Sequence, residues 1–586
     1  MSNLNLVKTA VNIAGQNVHF VKLNLFQKFY QHHRCEILVD HDAFGDKKWM
    51  ADPIKIFNLI GETVSITMTH SETKEANIFI GIVSNVSFKG QNGAQNYILI
   101  EGVSDTIKLS GKPSMDSFVD KTLDDIVTEA AGTSGNGAAI VTRSDYKKPI
   151  YYIQQYKESC FDFINRLCYL YGEAFWNDGT TTYFGKPEAA DPVILTYEKE
   201  VTGYDLRASL LPPKLKNYEY LVVDDEERDK ETRKNIPETP GYLQPIMDKA
   251  ESIYTSDVIK PLDALVADTD SILKMVDIER TRTVADMLVL SCTTQTCKAG
   301  IGKVVSIEFP KYMEIDTSAG DFIITEITHT VDQEGHYSNA FSGVRAALGY
   351  IPMPHIPMPI AVPERATVLS NADPKNKGRI QVQFAWQKLI GKETNWIRVQ
   401  TPDAGGSDKV ASNRGLVTIP EEGDTVMINF EYGDPNRPYS SGSLFTSKNG
   451  GGGGQGNKNK SLTTRSGSTV TLNDDEGQGS ITIKDPSGNE IVMDGSENIK
   501  ITAPTSLKID VGGNTIEIKK EGTTHITTNT EFKVTVGGNT FTMTTDSTTL
   551  ETPASVAIES ASNSITGQNH ITGGDTKIDG GNVFIN

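Results

Sequence analysis

The chain has 586 residues, of which 56 are Lys or Arg and 75 are Asp or Glu, so its formal net charge is −19. A chain of this length exceeds what one hydrophobic core supports, and we expect roughly three to five domains. The acidic balance argues against nucleic acid as a partner, because phosphate binding needs clustered Lys and Arg.

Five cysteines do not indicate a disulfide framework, since their number is odd and they are widely spaced. Cys35, Cys160 and Cys168 lie among apolar residues and are predicted core thiols. Cys292 and Cys297 are too isolated from His or other Cys to indicate zinc. We therefore expect no metal and no cofactor.

The N-terminus lacks a basic segment followed by an apolar one, and no run approaches the ~20 apolar residues of a membrane helix. We therefore expect synthesis and assembly in the cytoplasm without a signal peptide. If the protein leaves the cell, a machine must eject it.

Short runs that alternate apolar and polar residues over 18–110 predict antiparallel strands, in a first β unit of about residues 1–112. Between about 113 and 189 the period becomes helical. One predicted helix carries Phe118, Leu123, Ile126 and Val127, and a second runs from Phe161 to Tyr171 and is broken by Gly172.

The next segment returns to strands. The charged residues 226–240 predict a loop, residues 262–281 a helix, and residues 284–347 further strands. Two β units, about 1–112 and 190–348, with a helical insertion between them are the simplest interpretation.

Two breaks in composition follow. Residues 349–364 contain five prolines, which predicts an extended connector. Residues 446–460 contain five consecutive glycines and predict a flexible linker. A phosphate-binding loop is disfavoured, because no Lys-Ser/Thr pair follows the glycines and no apolar strand precedes them.

Residues 365–445, between the two breaks, predict a small Greek-key barrel of about 80 residues. Its strands alternate with period two, and turns rich in Gly, Pro, Asp and Asn separate them. The predicted strands are Arg379–Phe384, Trp396–Gln400 and Thr425–Phe430.

Residues 461–586 are rich in Ser, Thr, Gly and Asn, and Phe532, Phe541 and Phe584 are their only aromatic residues. Strict alternation nevertheless predicts strands, and the similar segments that start at Val511 and Val536 are 25 residues apart. One chain alone would leave a thin apolar stripe and unpaired strand edges. Three copies wound into a needle would cover both; a single-chain solenoid and a disordered tail are the alternatives.

Several motifs resemble the VgrG spike proteins of type VI secretion systems, across nearly the whole chain. Gly378-Arg379-Ile380-Gln381-Val382-Gln383-Phe384-Ala385-Trp386 is similar to the family's GRVKVQFPW-type strand, and Trp396-Ile397-Arg398-Val399 to the next strand. Gly433-Asp434-Pro435-Asn436-Arg437-Pro438 resembles the GDPxRP turn. Further upstream, the segment from Gln155 to Gly172 resembles the family's QYxESxxxFxxRL helix.

The resemblance implies a fold that is mainly β with a helical insertion. It comprises a hub of two β-barrel-like units, an OB-fold neck and a C-terminal intertwined triple-stranded β-helix, in a homotrimer. The implied partners are the tube protein at the N-terminal hub, baseplate proteins, a PAAR-like tip protein and effectors. The resemblance implies contact with the target membrane only by mechanical puncture. Two features depart from the family's pattern: Ala385 stands where proline is common, and five glycines lie in the linker. These departures leave a phage-like extracellular injection device open as the host machine.

No enzymatic activity is expected, because GxSxG and HExxH motifs are absent and the linker is too short for an inserted hydrolase domain. His32, His33, His525 and His570 lack partners at ligand spacing and are interpreted as exposed or turn histidines. Basic residues near Trp386 and Trp396 leave a ligand of the barrel open, and a receptor- or glycan-binding tailspike is the alternative function.

We therefore predict no catalytic residue and two structural sites. The tip-protein interface is a hypothesis based on an apolar end formed by Val583, Phe584, Ile585 and Asn586. The neck motif consists of Gly378, Arg379, Phe384, Trp386, Trp396, Gly433, Asp434, Pro435, Arg437 and Pro438.

Overall fold

The computed structural model describes residues 6–44, 53–90, 96–133, 137–188, 190–221, 226–232, 243–313, 318–477, 479–557, 566–568 and 572–574. The chain divides into two compact units, Met1–Lys448 and Asn449–Asn586. The division falls inside the predicted linker 446–460.

The first β unit alternates buried and exposed side chains as its sequence predicts. In β5, for example, Val64, Ile66 and Met68 are fully buried and the residues between them are not. Its elements are β1 (Val7–Ile13), β2 (Gln16–Asn17), β3 (Lys22–Lys28), β4 (Arg34–Asp40), α1 (Pro53–Phe57), β5 (Thr63–His70), β6 (Ala76–Gly90) and β7 (Asn96–Ser104).

The insertion is a mixed α/β region and not purely helical. Phe118 lies in a strand and contacts helix α3 by stacking on Phe163 at 5.6 Å, so its place in the predicted first helix was wrong. Ser159 caps the N-terminus of α3, and Gly172, with φ +82°, ends it as predicted. The elements are β8 (Ser114–Lys121), α2 (Leu123–Thr133), β9 (Ile140–Arg143), β10 (Ile150–Glu158), α3 (Cys160–Tyr171), β11 (Ala174–Asn177) and β12 (Thr182–Gly185).

The second β unit differs from the sequence interpretation in two places. Residues 226–231, predicted as loop, form a strand because their backbone pairs antiparallel with β15 while their charged side chains face outwards. The predicted helix at 262–281 begins only after its cap Asp268. The elements are β13 (Val193–Thr196), β14 (Val201–Ala208), β15 (Leu215–Leu221), β16 (Glu226–Glu231), α4 (Leu243–Ile253), β17 (Val258–Pro261), α5 (Thr269–Asp286), β18 (Leu288–Thr294), β19 (Val304–Glu308), β20 (Ser318–Asp332) and β21 (Tyr337–Arg345).

The two β units share one continuous sheet. Strand β20 of the second unit pairs antiparallel with β21 on one side and with β3 of the first unit on the other. The main path of the sheet runs β14-β18-β21-β20-β3-β4-β7-β6-β5-β1-β2. The joint between the units is therefore a backbone ladder, and side chains from both units meet beneath it.

The predicted barrel, 365–445, contains a five-stranded sheet in the order β23-β22-β27-β28-β24 around a small core of its own. Phe384, Val426 and Ile428 are among its buried members. The elements are β22 (Glu364–Ser370), β23 (Gln381–Phe384), α6 (Ala385–Ile390), β24 (Arg398–Val399), β25 (Ala404–Gly405), β26 (Arg414–Gly415), β27 (Thr425–Phe430) and β28 (Pro438–Ser443).

In the C-terminal unit, the predicted alternating strands form three antiparallel meanders: β29 to β33, β34 to β36 and β37 to β39. Short turns let consecutive strands pair within the chain, where we had expected every edge to pair with a neighbouring chain; the intertwined arrangement stays a prediction. The strands are β29 (Asn459–Thr463), β30 (Thr469–Asn473), β31 (Ser480–Lys484), β32 (Glu490–Met493), β33 (Ile499–Thr502), β34 (Ser506–Val511), β35 (Asn514–Lys519), β36 (Thr524–Thr527), β37 (Glu531–Val536), β38 (Asn539–Thr544) and β39 (Thr548–Glu551).

Short 3-10 helices complete the description, at Asp105–Leu109, Lys311–Met313, Ala346–Leu348, Glu431–Gly433 and Gln455–Asn457. Among the helices that the structure describes, none has both the length and the apolar composition to cross a membrane. All five cysteines are buried.

Candidate functional site

The motif turn 433–438 lies where the neck (residues 364–445) meets the hub (residues 6–348 as described). Gln154 of β10 is fully buried there and binds the turn twice. Its backbone N–H donates to Oδ1 of Asn436 (2.8 Å), and its Nε2 donates to the carbonyl oxygen of Pro435 (2.7 Å). Because both hydrogen bonds come from a strand of the hub, they fix the neck to the hub at this turn.

A buried ion pair strengthens the junction. The guanidinium of Arg437 binds both carboxylate oxygens of Glu219 on β15, at 2.5 and 2.6 Å, and also donates to the carbonyl oxygen of Leu262 (2.9 Å). The side chains of Arg437 and Glu219 are 10% and 2% exposed. Burial, the largest single effect, would lower the pKa of Arg437, but the hydrogen bonds and charges of Glu219 and Asp434 together outweigh it and raise the pKa.

Asp434 completes this cluster from within the turn. Its Oδ2 accepts from Nε of Arg437 at 3.2 Å, and its Oδ1 accepts from the backbone N–H of Asn436 at 2.9 Å. Burial raises the pKa of Asp434, and the positive charge of Arg437 opposes that rise. The turn therefore places an arginine between two carboxylates, one from the neck and one from the hub.

A second contact joins the helix of the neck to the hub. Nε2 of Gln387 on α6 donates to Oγ of Ser117 (2.9 Å) and to the hydroxyl oxygen of Tyr152 (3.3 Å). Tyr152 also accepts from Nε2 of Gln154 (2.8 Å), and burial raises its pKa. The same amide group of Gln154 thus links the two contact regions.

The first part of the neck motif supports the junction from inside the neck. Arg379 is 4% exposed; its Nε and Nη2 bind Asp373 at 3.0 and 2.7 Å, and its Nη1 donates to the hydroxyl of Tyr151 at 3.1 Å. That hydroxyl donates to the carbonyl oxygen of Trp396 (2.7 Å). Burial raises the pKa of Tyr151 to about 12.

The remaining motif residues shape the neck itself. The rings of Phe384 and Trp386 are stacked with centroids 5.8 Å apart, the first in the core and the second packed against it. Gly378 and Gly433 have φ of +69° and +73°, the left-handed region that favours glycine. Pro438 begins β28. Pro435 and Arg437 of the predicted motif therefore contact the hub directly, whereas Phe384 and Trp386 lie within the neck.

Glu219 and Gln154, the hub side of the junction, were not predicted. Gln154 directly precedes the motif that begins at Gln155, but no pattern marked it. Glu219 shares the inward face of β15 with Leu215 and Asn217, and a carboxylate at an inward position of a strand was the available signal.

Three arginines of the neck are paired with carboxylates. Arg379 pairs with Asp373, Arg398 with Glu431 and Arg414 with Asp403. A nucleic-acid or anionic ligand would have to displace these partners. The arrangement therefore gives no support to the ligand surface that the sequence left open.

His32 and His33 lie in the turn region between β3 and β4, as predicted, but neither side chain is fully exposed. His33 is fully buried, and burial lowers its pKa to about 3. His32 is partly buried with its ring 3.8 Å from that of Phe161, and burial lowers its pKa to about 4. His525 is exposed as predicted, and His570 lies outside the described residues.

Within the described part of the chain, one cluster contains possible metal ligands. The side chains of Asp332, Glu334 and His336 come together in the turn after β20. His336 Nδ1 already binds Asp332 at 2.9 Å, and the group lies at the surface, so we assign no metal to it. The predicted tip residues Val583 to Asn586 lie outside the described residues.

Sequence comparison matches two parts of the chain to known families. The phage tail baseplate hub (GPD) family matches residues 50–201, and the type VI secretion system/phage-baseplate injector OB domain family matches residues 364–445. Both matched segments contribute to the junction described above. Residues 50–201 include Gln154, and residues 364–445 include the neck motif.

The chain is also similar to individual proteins of Pseudomonas aeruginosa. It is 25% identical over 173 residues to the type VI secretion system spike protein VgrG1c, covering 26% of this chain and 22% of the relative. It is 32% identical over 116 residues to the spike protein VgrG1b, covering 18% and 14%. The aligned region thus spans about a fifth or less of these relatives' length.

Among solved structures, the half-lidded Francisella PdpA-VgrG complex shares the fold. The match has a TM-score of 0.52 at 9% identity and covers 86% of this chain and 89% of that one. The resemblance to VgrG spike proteins that the motifs indicated is confirmed by these findings, and so is a mainly β fold with an OB domain.

Proposed function

We propose that this chain, a relative of VgrG spike proteins and phage baseplate hubs, is the structural subunit of a type VI secretion spike. Three copies assemble, and sheath contraction drives the spike through a target envelope together with a tip protein and effectors. The chain contributes stiffness and a fixed join between hub and neck. Its partners are those of a spike: tube protein, baseplate, tip protein and cargo.

The observation that carries this proposal is an apolar face without cover in the C-terminal unit. Cross-strand pairing in the first meander aligns one apolar residue from each of five strands into a row: Leu462, Val470, Ile483, Ile491 and Ile501. Successive side chains of a strand point to opposite faces, so this row lies on one face.

A second row on the same face extends the surface, formed by Leu472, Ile481, Met493 and Ile499. Thr471, Thr482 and Lys500 lie on the opposite face. None of the described residues within 449–557 is buried, and Ile483 and Ile501 are 44% and 52% exposed. A single sheet cannot bury its own apolar face, so a second layer is required.

The next two meanders repeat this design with the 25-residue period. Ile509 pairs with Ile516, and Ile516 with Ile526; one repeat later, Val534 pairs with Phe541, and Phe541 with Leu550. In the proposed assembly, the equivalent apolar rows of other copies pack against these rows and cover them. The number three follows from the resemblance to the VgrG spikes.

We also propose that the chain is not an enzyme. The cysteine thiols are withdrawn from solvent: burial raises the pKa of Cys35 and Cys292 to about 12 and that of Cys297 to about 11. A thiol held protonated is a poor nucleophile. Incubation with cell-wall material should therefore produce no clearing in a zymogram.

Light scattering on the purified full chain tests the assembly. We expect a mass three times that of the 64.0-kDa chain and no monomer at micromolar concentration. Ile483→Asp places a charge in the apolar row and should abolish the trimer. Thr482→Asp, on the opposite face of the same strand, is the matched control and should leave it intact. A monomeric wild type, or equal behaviour of the two variants, contradicts the proposal.

The proposed tip interface has its own test. Deletion of residues 583–586 should abolish co-purification of the tip protein and leave the trimer mass unchanged, apart from the residues removed. Unchanged co-purification would refute the apolar platform without affecting the trimer.

A further inference from the structure

Five buried polar side chains form a continuous hydrogen-bonded relay across the joint between the two β units of the hub. It runs from Asn339 and Tyr337 on β21, through His329 on β20 and Gln27 on β3, to His33 just before β4. None of the five is more than 7% exposed. The relay therefore connects the strands whose pairing fuses the two units.

The directions of these hydrogen bonds follow from the end at Asn339. Its Nδ2 donates to the carbonyl oxygen of Thr296 (2.8 Å), which can only accept, and also to the hydroxyl oxygen of Tyr337 (2.9 Å). The Tyr337 hydroxyl then donates its own hydrogen to Nδ1 of His329 (2.6 Å). Nδ1 of His329 is therefore an acceptor.

The second half of the relay continues in the same direction. Nε2 of His329 donates to Oε1 of Gln27 at 3.2 Å, and Nε2 of Gln27 donates to Nδ1 of His33 at 3.2 Å. Each imidazole thus carries hydrogen on one nitrogen and accepts through the other, which is its neutral form.

We propose that this relay makes the joint between the two β units acid-labile: it is complete while both rings are neutral and breaks when either gains a proton. A proton on Nδ1 of His33 would face the amide hydrogens of Gln27. Turning that amide around would take its single oxygen away from His329. A proton on Nδ1 of His329 would face a hydroxyl that already accepts from Asn339.

The surroundings of the two rings favour the neutral form. Burial lowers the pKa of both His33 and His329 to about 3. The charged and titratable groups that face His33 are His32 and Asp178, and the backbone of Lys28 is a further hydrogen-bond partner of its ring. Those facing His329 are Lys303 and His33, and Cys297 lies beside Tyr337.

The sign of the pH effect follows from the unfolded value of about 6.5 for histidine. Above pH 6.5 both states are neutral and the relay contributes fully. As the pH falls from 6.5 towards 3, the unfolded or opened state binds protons that the closed joint excludes. Each ring then shifts the opening equilibrium by up to about tenfold per pH unit, and the two together by about a hundredfold.

Glu173, another buried group in the hub, acts in the opposite direction. Burial raises its pKa to about 7, against hydrogen bonds from the backbone N–H groups of Tyr146 and Asp145. A carboxyl group with a raised pKa stabilises the folded state as the pH falls. The pH dependence of the wild type is therefore compared with that of a relay variant. Both contain Glu173, so its contribution cancels in the difference.

Hydrogen exchange on the full chain tests the proposal. After correction for intrinsic rates, protection of peptides from β3 and β20 should fall at least tenfold between pH 7 and pH 5. Peptides from β27 in the neck serve as the internal reference and should change little. Equal behaviour of the joint and the neck would overturn the proposal, whatever the oligomeric state.

His33→Asn is the matched variant, because its amide oxygen can accept from Gln27 without titrating. It should lower the slope of log protection against pH for β20 by about one, because opening then takes up one proton fewer. His336→Asn, an exposed histidine in the turn after β20, is the control and should leave the slope unchanged. If His33→Asn does not fold, the wild-type exchange profile decides alone; if it folds with an unchanged slope, the proposal is wrong.

Discussion

The neck and the C-terminal unit are both built from short antiparallel strands that alternate apolar and polar residues, yet among the residues that the structure describes only those of the neck enclose a core. Val426 and Ile428 on β27 are fully buried, whereas Ile516 and Ile526 in the second meander are 41% and 47% exposed. The neck sheet is covered by α6 and by its own strands around a common core. The meanders are single layers.

This difference shows that alternation predicts which side chains share a face and not what covers that face. In the neck the cover comes from the same chain. In the C-terminal unit we propose that the cover comes from other copies, and the stability of this unit should then depend on assembly. The following variants test both sides of the comparison, in order of decreasing effect.

The largest loss of stability is expected at the junction on the covered side. Arg437→Ala leaves the carboxylate of Glu219 buried without its partner, which should cost about 3–5 kcal/mol of the free energy of unfolding. Arg398→Ala is the control: its pair with Glu431 is more than a quarter exposed on each side, and its loss should cost less than about 1 kcal/mol. Guanidinium titration of the full chain, followed by tryptophan fluorescence, measures both. Equal losses would show that the junction does not depend on this pair.

A pair of matched truncations addresses the comparison directly. Ile428→Ala removes a fully buried side chain and should cost about 2–5 kcal/mol in the neck. Ile516→Ala should cost about as much per chain if other copies cover the meander. The loss for Ile516→Ala is followed as a decrease in the temperature at which the assembled C-terminal unit loses its resistance to SDS. A negligible effect of Ile516→Ala would mean that its face is not covered.

Much of the fold was predictable because local patterns determine it. The period-two runs of the first β unit, the neck and the meanders marked strands. Gly172 marked the end of α3, because its φ of +82° suits glycine. The neck motif was found through resemblance, and the structure explains its spacing: Asp434 and Arg437 lie three apart so that both reach the same ion cluster.

What was missed depends on contacts between distant parts of the chain. Phe118 has the spacing of a helical face, but β8 pairs with β10 and places it in a strand. The charged segment 226–231 forms a strand only because β15 offers it a backbone partner. Likewise, His33 is linked through Gln27 to His329, about 300 positions away, and no local pattern reveals that link.

A smaller effect, and one that depends on pH, is expected at Asp373 in the neck. The hydrogen bonds from Arg379 lower the pKa of this carboxyl well below its usual value, against a smaller opposing effect of burial. Its contribution is therefore complete above the unfolded pKa of about 3.9 and is lost as the pH falls below that value. Asp373→Asn should cost about 1.5–3 kcal/mol at pH 7. The difference from wild type should shrink between pH 4 and pH 2 in acid titrations of the full chain; a constant difference would contradict this cause.

The smallest effect is expected at the start of α3 in the hub. Oγ of Ser159 accepts from the backbone N–H of Asp162 at 3.1 Å and so satisfies one of the free N–H groups of the first turn. Ser159→Ala should lower the free energy of unfolding by about 1 kcal/mol. Ser252→Ala, whose hydroxyl binds a carbonyl at the exposed end of α4, is the control and should have less effect. Because the cap acts within a core that this chain completes by itself, the loss should be the same at every protein concentration. A loss that grew on dilution would mean that the hub, like the meanders, relies on neighbouring copies.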